Sequence, residues 1–297
     1  MGKSLVRIKK VMHFFWGNSQ ISWMRYMTLY SFRMLNPDWK MILFLVKPNG
    51  AITKTWLDTP TQDFHNFIGQ DYFEKIKDLD IEIVNWELTD SFPGVNPATV
   101  GASHKSNFFK WNQLANSSGF YCDLDVLFVK PIRILYLCCR ESDVVIAHHG
   151  YYSIGLLGSS GNNNFFRDVY QHTFKNYDPK EYQSAGVQSI HGWSRELLRP
   201  DMEIYLSYRA FEKHYKELKF YNLDMSWIYP WLWNQMEKVF GERHIKLPDK
   251  CIGIHWYAGA AISQKYNNIM NESNFMKFEN TYSHFAQKVL DKFKEIK

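Results

Sequence analysis

Apolar runs of six to eight residues alternate, along the first half of the chain, with longer stretches whose apolar side chains recur every three or four positions. KKVMHFFW (9–16), KMILFLV (40–46) and IEIVNW (81–86) are short and nearly continuous in apolar character, the pattern of strands buried on both faces. ISWMRYMTLYSFRMLN (21–36) has helical spacing and is stopped by Pro37, and YFEKIKDLD is a shorter helical stretch before the third strand. In ASHKSNFFKWNQLAN (102–116), Phe108, Trp111, Leu114 and Ala115 share one helix face. GFYC and VLFV follow, split by Asp-Leu-Asp. Alternating strand and helix units predict an α/β fold with a largely parallel sheet.

The second half is less regular. DVVIAHH (143–149) and YYSIGLLG (151–158) read as paired strands, with helices near 163–176 and 180–199. CIGIHWYAGAA (251–261) reads as a late strand running into a Gly/Ala-rich loop. Phe275, Phe278, Tyr282, Phe285, Val289, Phe293 and Ile296 form one apolar stripe on a closing helix that docks on the body. Its charged face mixes acidic residues with lysines, so weak membrane-surface contact is the lesser alternative. With no repeat, low-complexity tract or linker, the expectation is one domain spanning 1–297.

Composition changes this picture little. A hydrophobic content of 45% with 22% charged residues belongs to a soluble globular protein, and 297 residues suffice for a large core. The 22 Phe, 18 Tyr and 11 Trp mean an aromatic-rich core or a groove that stacks flat ligands. Net charge is +5, which suits an anionic ligand, and no Lys/Arg block is long enough to mark nucleic acid as a partner. Cys122, Cys138, Cys139 and Cys251 contain no Cys-x-x-Cys spacing and no disulfide framework. VMHFFW is too short for a signal-peptide core or a transmembrane segment. The expected location is cytoplasmic.

The candidate chemistry lies at Asp123 and Asp125. Strand interiors deplete Asp, and a buried carboxylate is costly unless paired or metal-bound. In open α/β sheets ligands bind beyond the carboxyl ends of strands, where GFYC would deliver both side chains. Two carboxylates at this spacing can converge on one hard divalent cation, leaving positions for water and diphosphate oxygens. An EF-hand loop is excluded by Leu127 and Phe128, and flanking apolar residues argue against a solvated turn. A phosphatase of the haloacid dehalogenase type shares the local strand-Asp-x-Asp pattern, with Asp123 as nucleophile. It normally carries that strand first, whereas three precede it here, and no later Gly-Asp-x-x-x-Asp segment follows.

The wider block ASHKSNFFKWNQLANSSGFYCDLDVLFVKPI resembles the centre of DXD sugar-transferring enzymes with the GT-A fold, such as glycosyltransferase family 32 and the large clostridial glucosylating toxins. VMHFFWGNSQISW with LNPDWKMILF resembles their first strand and Asn-Pro segment, and IGIHWYAGAA their late His-x-Trp element. The resemblance thus touches 8–46, 98–132 and 250–261 in order. It implies a GT-A, Rossmann-like nucleotide-sugar-binding fold with a mostly parallel central sheet and helical C-terminal elements. Residues 1–132 would form the nucleotide-sugar half, and 133–297 the acceptor-side half with the closing helix. It implies that Asp125 ligates Mn2+ or Mg2+, that Asp123 contacts the donor sugar or ribose and helps hold the metal, and that His255 joins them. Trp16, with Phe14 beside it, would stack on or line the nucleobase; Asn107, Lys110 and Trp256 would contact the donor. Asp123 and Asp125 carry the catalytic role.

Asn107 and Lys110 stand where the family has Asp and Arg, and Ala260 and Ala261 where it has Ser-Trp. Lys is a point charge rather than a planar fork, which suggests an unusual donor choice. Ser263 or Tyr257 are the replacements for the lost hydroxyl or ring. YQSAGVQSI (182–190) resembles the segment reaching the acceptor pocket, through Gln183 or Gln188, with Ser184 and Ser189 read as helix caps. SWIYPWLW (226–233) reads as a packed loop, and His148 and His149 as a solvated pair. The function implied is a retaining transfer from a nucleotide-diphosphate sugar, UDP-linked before GDP-linked, to a hydroxyl of a glycan or glycolipid. The alternatives are the phosphatase and a catalytically silent sugar-nucleotide-binding relative.

Overall fold

The computed structural model describes residues 6–17, 20–46, 67–89, 95–198, 207–241, 243 and 245–294. In chain order the elements are β1 (Val11–Trp16), α1 (Trp23–Leu35), β2 (Lys40–Val46), α2 (Phe73–Ile76), β3 (Glu82–Trp86), α3 (Ala102–Asn116), β4 (Ser118–Cys122) and β5 (Val126–Phe128). There follow α4 (Arg133–Cys139), β6 (Val144–His148), β7 (Tyr152–Ser160), α5 (Asn164–Asn176), α6 (Val187–Leu197), α7 (Ser207–His214) and β8 (Phe220–Asn222). The chain closes with α8 (Glu237–Phe240), β9 (Gly253–His255), α9 (Ala261–Ile269) and α10 (Thr281–Lys294).

Seven strands form one sheet in the order β3-β2-β1-β4-β7-β6-β8, and β5 pairs with β9 in a separate ribbon. Strands β3, β2, β1 and β4 are mutually parallel, β7 is antiparallel to both neighbours, and β6 is parallel to β8. The sheet is therefore mostly parallel, as the alternating pattern predicts, and strands from both halves of the chain share it. The period-2 alternation of β1 divides the core. Met12 and Phe14 pack with Phe32 of α1 on one face, while Phe15 packs with Phe44, Phe109 and Trp111 on the other. The Ser22 hydroxyl accepts from the Arg25 N–H and caps α1, which fixes where Arg25 enters the fold. Among the described residues no helix is long and apolar enough to cross a membrane. All four cysteines are free.

Three expectations about segment boundaries change. The closing stripe is two elements, a 3-10 turn at Phe275–Phe278 and then α10. Phe275 stacks on Trp23 at 4.8 Å, Glu279 takes a left-handed φ of 42°, and Asn280 Oδ1 caps a new helix through the Ser283 N–H. Ile296 lies outside the described residues. The helix expected over 180–199 starts only at Val187, because 180–186 is a run of turns tied down by side chains such as Ser184, whose Oγ donates to the Asp178 carbonyl at 2.5 Å. The late strand is three residues long, and the Gly/Ala-rich loop turns at once into α9, through Tyr257 with φ 42°.

Candidate active site

Strand β4 ends at Cys122, and the Asp123 N–H still reaches across to the Gly155 carbonyl of β7 at 2.9 Å. The chain then turns, and Asp125 is the last residue before β5. Pairing of β5 with β9 sets Val126 opposite His255. This ribbon, formed by segments over a hundred residues apart, brings the imidazole to the carboxylates. His255 Nε2 lies 3.1 Å from Asp125 Oδ1. One ligating atom each from Asp123, Asp125 and His255 fall within 4.8 Å of one another.

The backbone of the late loop completes the frame. The Trp256 N–H donates to the Asp125 carbonyl and the Ala258 N–H to Asp125 Oδ2, both at 2.8 Å. Burial pushes the Asp125 carboxyl up, but His255, the Ala258 N–H and Arg25 together outweigh it and hold the group at about 2. Asp125 is thus a carboxylate at neutral pH. Its Oδ1 is buried and meets His255 Nε2 at 3.1 Å off the line of a good hydrogen bond, so the charged oxygen is only partly compensated. Neighbouring ligands of an octahedral ion with bonds of about 2.1 Å sit roughly 3 Å apart, which matches the approach of His255 to that oxygen. An O,O,N donor set around a buried, partly compensated carboxylate oxygen fits a divalent cation.

Asp123 is held differently. Its Oδ1 accepts from the Tyr121 hydroxyl at 2.6 Å and from Lys110 Nζ at 3.2 Å. The Lys110 side chain is 2% exposed, lies over the Tyr121 ring at 4.7 Å, and also reaches the Ile154 carbonyl. Asp123 itself keeps 28% of its side chain exposed, so one carboxylate is anchored from behind and open in front. A second buried cation, Arg25 of α1, stands over the Trp16 ring at 4.5 Å and near that of Trp256 at 5.7 Å.

Asp123, Asp125, His255 and Lys110 are therefore brought together. Trp16 is half-buried at the carboxyl end of β1, facing Arg25. Asn107 lies one helical turn before Lys110 and is covered by the 183–186 turn, where a Cβ on Gly186 would come within 2.9 Å of its Nδ2. Phe14 is a correction: it is fully buried edge-on to Phe32, with no surface to offer a nucleotide, and its role is packing. Trp256 is also fully buried, edge-on to Tyr282, and serves the site through its backbone.

Other expectations settle as follows. Ser263 Oγ donates to the Trp256 carbonyl at 2.6 Å and is not available at the site. Ser184 and Ser189 donate to carbonyls rather than cap a helix. Trp227, Tyr229 and Trp231 are buried, so SWIYPWLW is a packed loop apart from exposed Trp233. His148 is buried against Tyr152, where burial pushes it down to about 4, while His149 is exposed.

Sequence reasoning missed Arg25, Tyr121, Gly155 and the Ala258 N–H. Tyr121 had a signal: positions i and i+2 of a strand share a face, so a hydroxyl two residues before Asp123 points the same way. Gly155 had none, because its use is visible only in space. A Cβ there would lie 2.7 Å from His255 Nε2 and 3.0 Å from the Tyr229 hydroxyl.

No family model and no curated protein matches the chain. Among solved structures it is similar to the PaToxG glycosyltransferase, at 12% identity and TM-score 0.44, over 94% of this chain and 86% of that one. It is similar to apo glycosyltransferase GlyE of Streptococcus pneumoniae TIGR4, at 10% identity and TM-score 0.44, over 96% and 64%. It is also similar to the galactosyltransferase LgtC with donor and acceptor sugar analogs, at 9% identity and TM-score 0.38, over 90% and 99%. All three TM-scores are below 0.5.

Proposed function

We propose that this chain is a metal-dependent glycosyltransferase of the GT-A type. It moves a sugar from a nucleotide-diphosphate donor, UDP-linked before GDP-linked, to a hydroxyl of a glycan or glycolipid in the cytoplasm. The observation that carries this reading is the convergence of Asp123, Asp125 and His255 at the carboxyl edge of a mostly parallel sheet, with Asp125 Oδ1 buried and only partly compensated by His255. Asp125 and His255 hold the cation, and Asp123 completes the set or holds the donor. The imidazole favours manganese over magnesium, because nitrogen ligands suit transition metals and all-oxygen sets suit magnesium. When bound, the cation supplies charge neutralisation for the leaving diphosphate.

The chain's own residues do the rest. Tyr121 and Lys110 fix the Asp123 carboxylate from behind, so its other edge is presented in one orientation. The β5–β9 ribbon sets His255 against Asp125 without reorganisation, which is how a preorganised polar site lowers a barrier. Trp16, half-buried at the end of β1, lines the donor side. By the resemblance of its sequence blocks, the enzyme retains the anomeric configuration.

The test is release of nucleotide diphosphate from a panel of UDP- and GDP-sugars with Mn2+, by wild type and by Asp125→Ala. Manganese-dependent release from one or more donors, absent in the variant, supports the reading. Release from none, together with phosphate release from p-nitrophenyl phosphate that needs Asp123, replaces it with the phosphatase.

A further inference from the structure

The side chain of Arg25 has no part in the ligand set, yet its placement is unusual for a surface-type residue. It lies on the first turn of α1, 8% exposed. Its guanidinium stands over Trp16, the last residue of β1, and near Trp256, whose own N–H holds the Asp125 carbonyl. It is therefore flanked by one residue from the donor-side strand and one from the loop that carries His255. A buried guanidinium is costly to retain unless nearby negative charge compensates it. Asp125 and Asp123 supply such charge: burial pushes the Arg25 pKa down, and Asp125, Asp123 and Tyr182 oppose the push.

We infer that Arg25 is the standing counter-charge of the carboxylate pair, a positioning residue that weakens binding of the bare cation and strengthens binding of the anionic diphosphate. The inference rests on the glycosyltransferase reading of the same site and adds an order of events to it. Two carboxylates within the electrostatic reach of one buried guanidinium are partly neutralised before any ligand arrives. A divalent cation then meets repulsion from Arg25, whereas a cation arriving with a diphosphate brings its own negative charge. The site thus prefers the cation–diphosphate pair to either ion alone. Lys110 is a counter-charge of Asp123 alone, its Nζ committed to Asp123 Oδ1 and the Ile154 carbonyl and so turned away from an incoming diphosphate.

The consequence is a split in sign that a packing role does not produce. Arg25→Met keeps the apolar stem between the indoles and removes the charge; Arg25→Gln removes it while keeping a planar polar end. In both, titration calorimetry at pH 7.5 should show Mn2+ alone binding about tenfold tighter, and UDP with saturating Mn2+ about tenfold weaker, the order a unit charge near a buried site exerts. Arg25→Lys, which keeps the charge, should stay near wild type in both titrations even where its melting temperature falls. Parallel weakening of both ligands in Met and Gln variants, or no change in either, overturns the inference while leaving the site intact. Failure of the wild type to bind either ligand overturns the glycosyltransferase reading itself, and this inference with it.

Discussion

Gly155→Ala is the substitution for which the structure sets the magnitude most directly. Gly155 lies on β7 with its carbonyl bonded to the Asp123 N–H. An added Cβ would stand 2.7 Å from His255 Nε2 and 2.9 Å from Cδ2, whereas ordinary van der Waals contact begins at 3.4 Å. The imidazole must retreat by the difference, about 0.7 Å. It cannot do so freely, because it packs between Tyr229 at 5.1 Å and Tyr257 at 4.2 Å between ring centroids. Tyr229 is itself pinned, its hydroxyl accepting from the Leu156 N–H at 3.0 Å. Metal–ligand distances tolerate about 0.2 Å, so the displaced ring is lost as a ligand. Mn2+ affinity should fall at least 10- to 100-fold, since disturbing a metal's supporting shell alone costs roughly that much. Overpacking should cost about 1–3 kcal/mol, a drop of roughly 1.5–2 °C in Tm per kcal/mol for a chain of 297 residues. The control is Gly158→Ala on the same strand, where the Cβ would meet Phe120 and Val145 instead; it should lose stability and keep Mn2+. Calorimetric titration of Mn2+ into each folded protein reads both. Wild-type Mn2+ affinity in Gly155→Ala would refute His255 as a ligand.

Tyr121→Phe removes the 2.6 Å hydrogen bond to Asp123. It should cost about 1.5–3 kcal/mol of stability in urea and raise the KM for donor; an unchanged KM with lowered stability leaves the bond a purely structural one. Lys110→Met takes the buried cation from Asp123 and should destabilise by about 1–3 kcal/mol, less than a fully buried pair because Asp123 is partly exposed; an unchanged unfolding midpoint contradicts the pairing. His13 is 2% exposed and burial pushes its pKa from 6.5 to about 4. Between those values the unfolded chain binds a proton that the folded chain does not, so stability is full above pH 6.5 and falls by about 3 kcal/mol as pH drops to 4. The wild-type slope of unfolding free energy across pH 4–6.5 should exceed that of His13→Gln, and equal slopes contradict the assignment.

Local patterning carried most of the fold. The helix over 102–116 and the strand over 40–46 appear with the boundaries their apolar spacing predicts, because each buries one stripe or run against a sheet it belongs to. Phe275 and Phe278 continued the same stripe in one dimension, but the Trp23 stack and the left-handed Glu279 break the helix between Phe278 and Thr281. Asp123 and Asp125 were legible because carboxylates at a strand end are costly without a purpose. The structure then supplied what spacing cannot. The β5–β9 pairing carries His255 to Asp125 across 130 residues of chain, and the cap at Ser22 aims Arg25 between two tryptophans. Phe14 and Trp16 lie two residues apart on one strand, yet one is sealed in the core and the other half-open, because Trp16 is the last residue of β1, at the carboxyl edge of the sheet.

In the proposed function, Asp125 and its neighbours hold a cation together with a nucleotide diphosphate. The most direct measurement is calorimetric titration of UDP and GDP into wild type and Asp125→Ala, with and without Mn2+. Manganese-dependent binding of UDP, stronger than that of GDP and abolished in a folded Asp125→Ala, is the predicted result. Binding of neither nucleotide by the folded wild type, or UDP binding indifferent to both Mn2+ and Asp125, would contradict it.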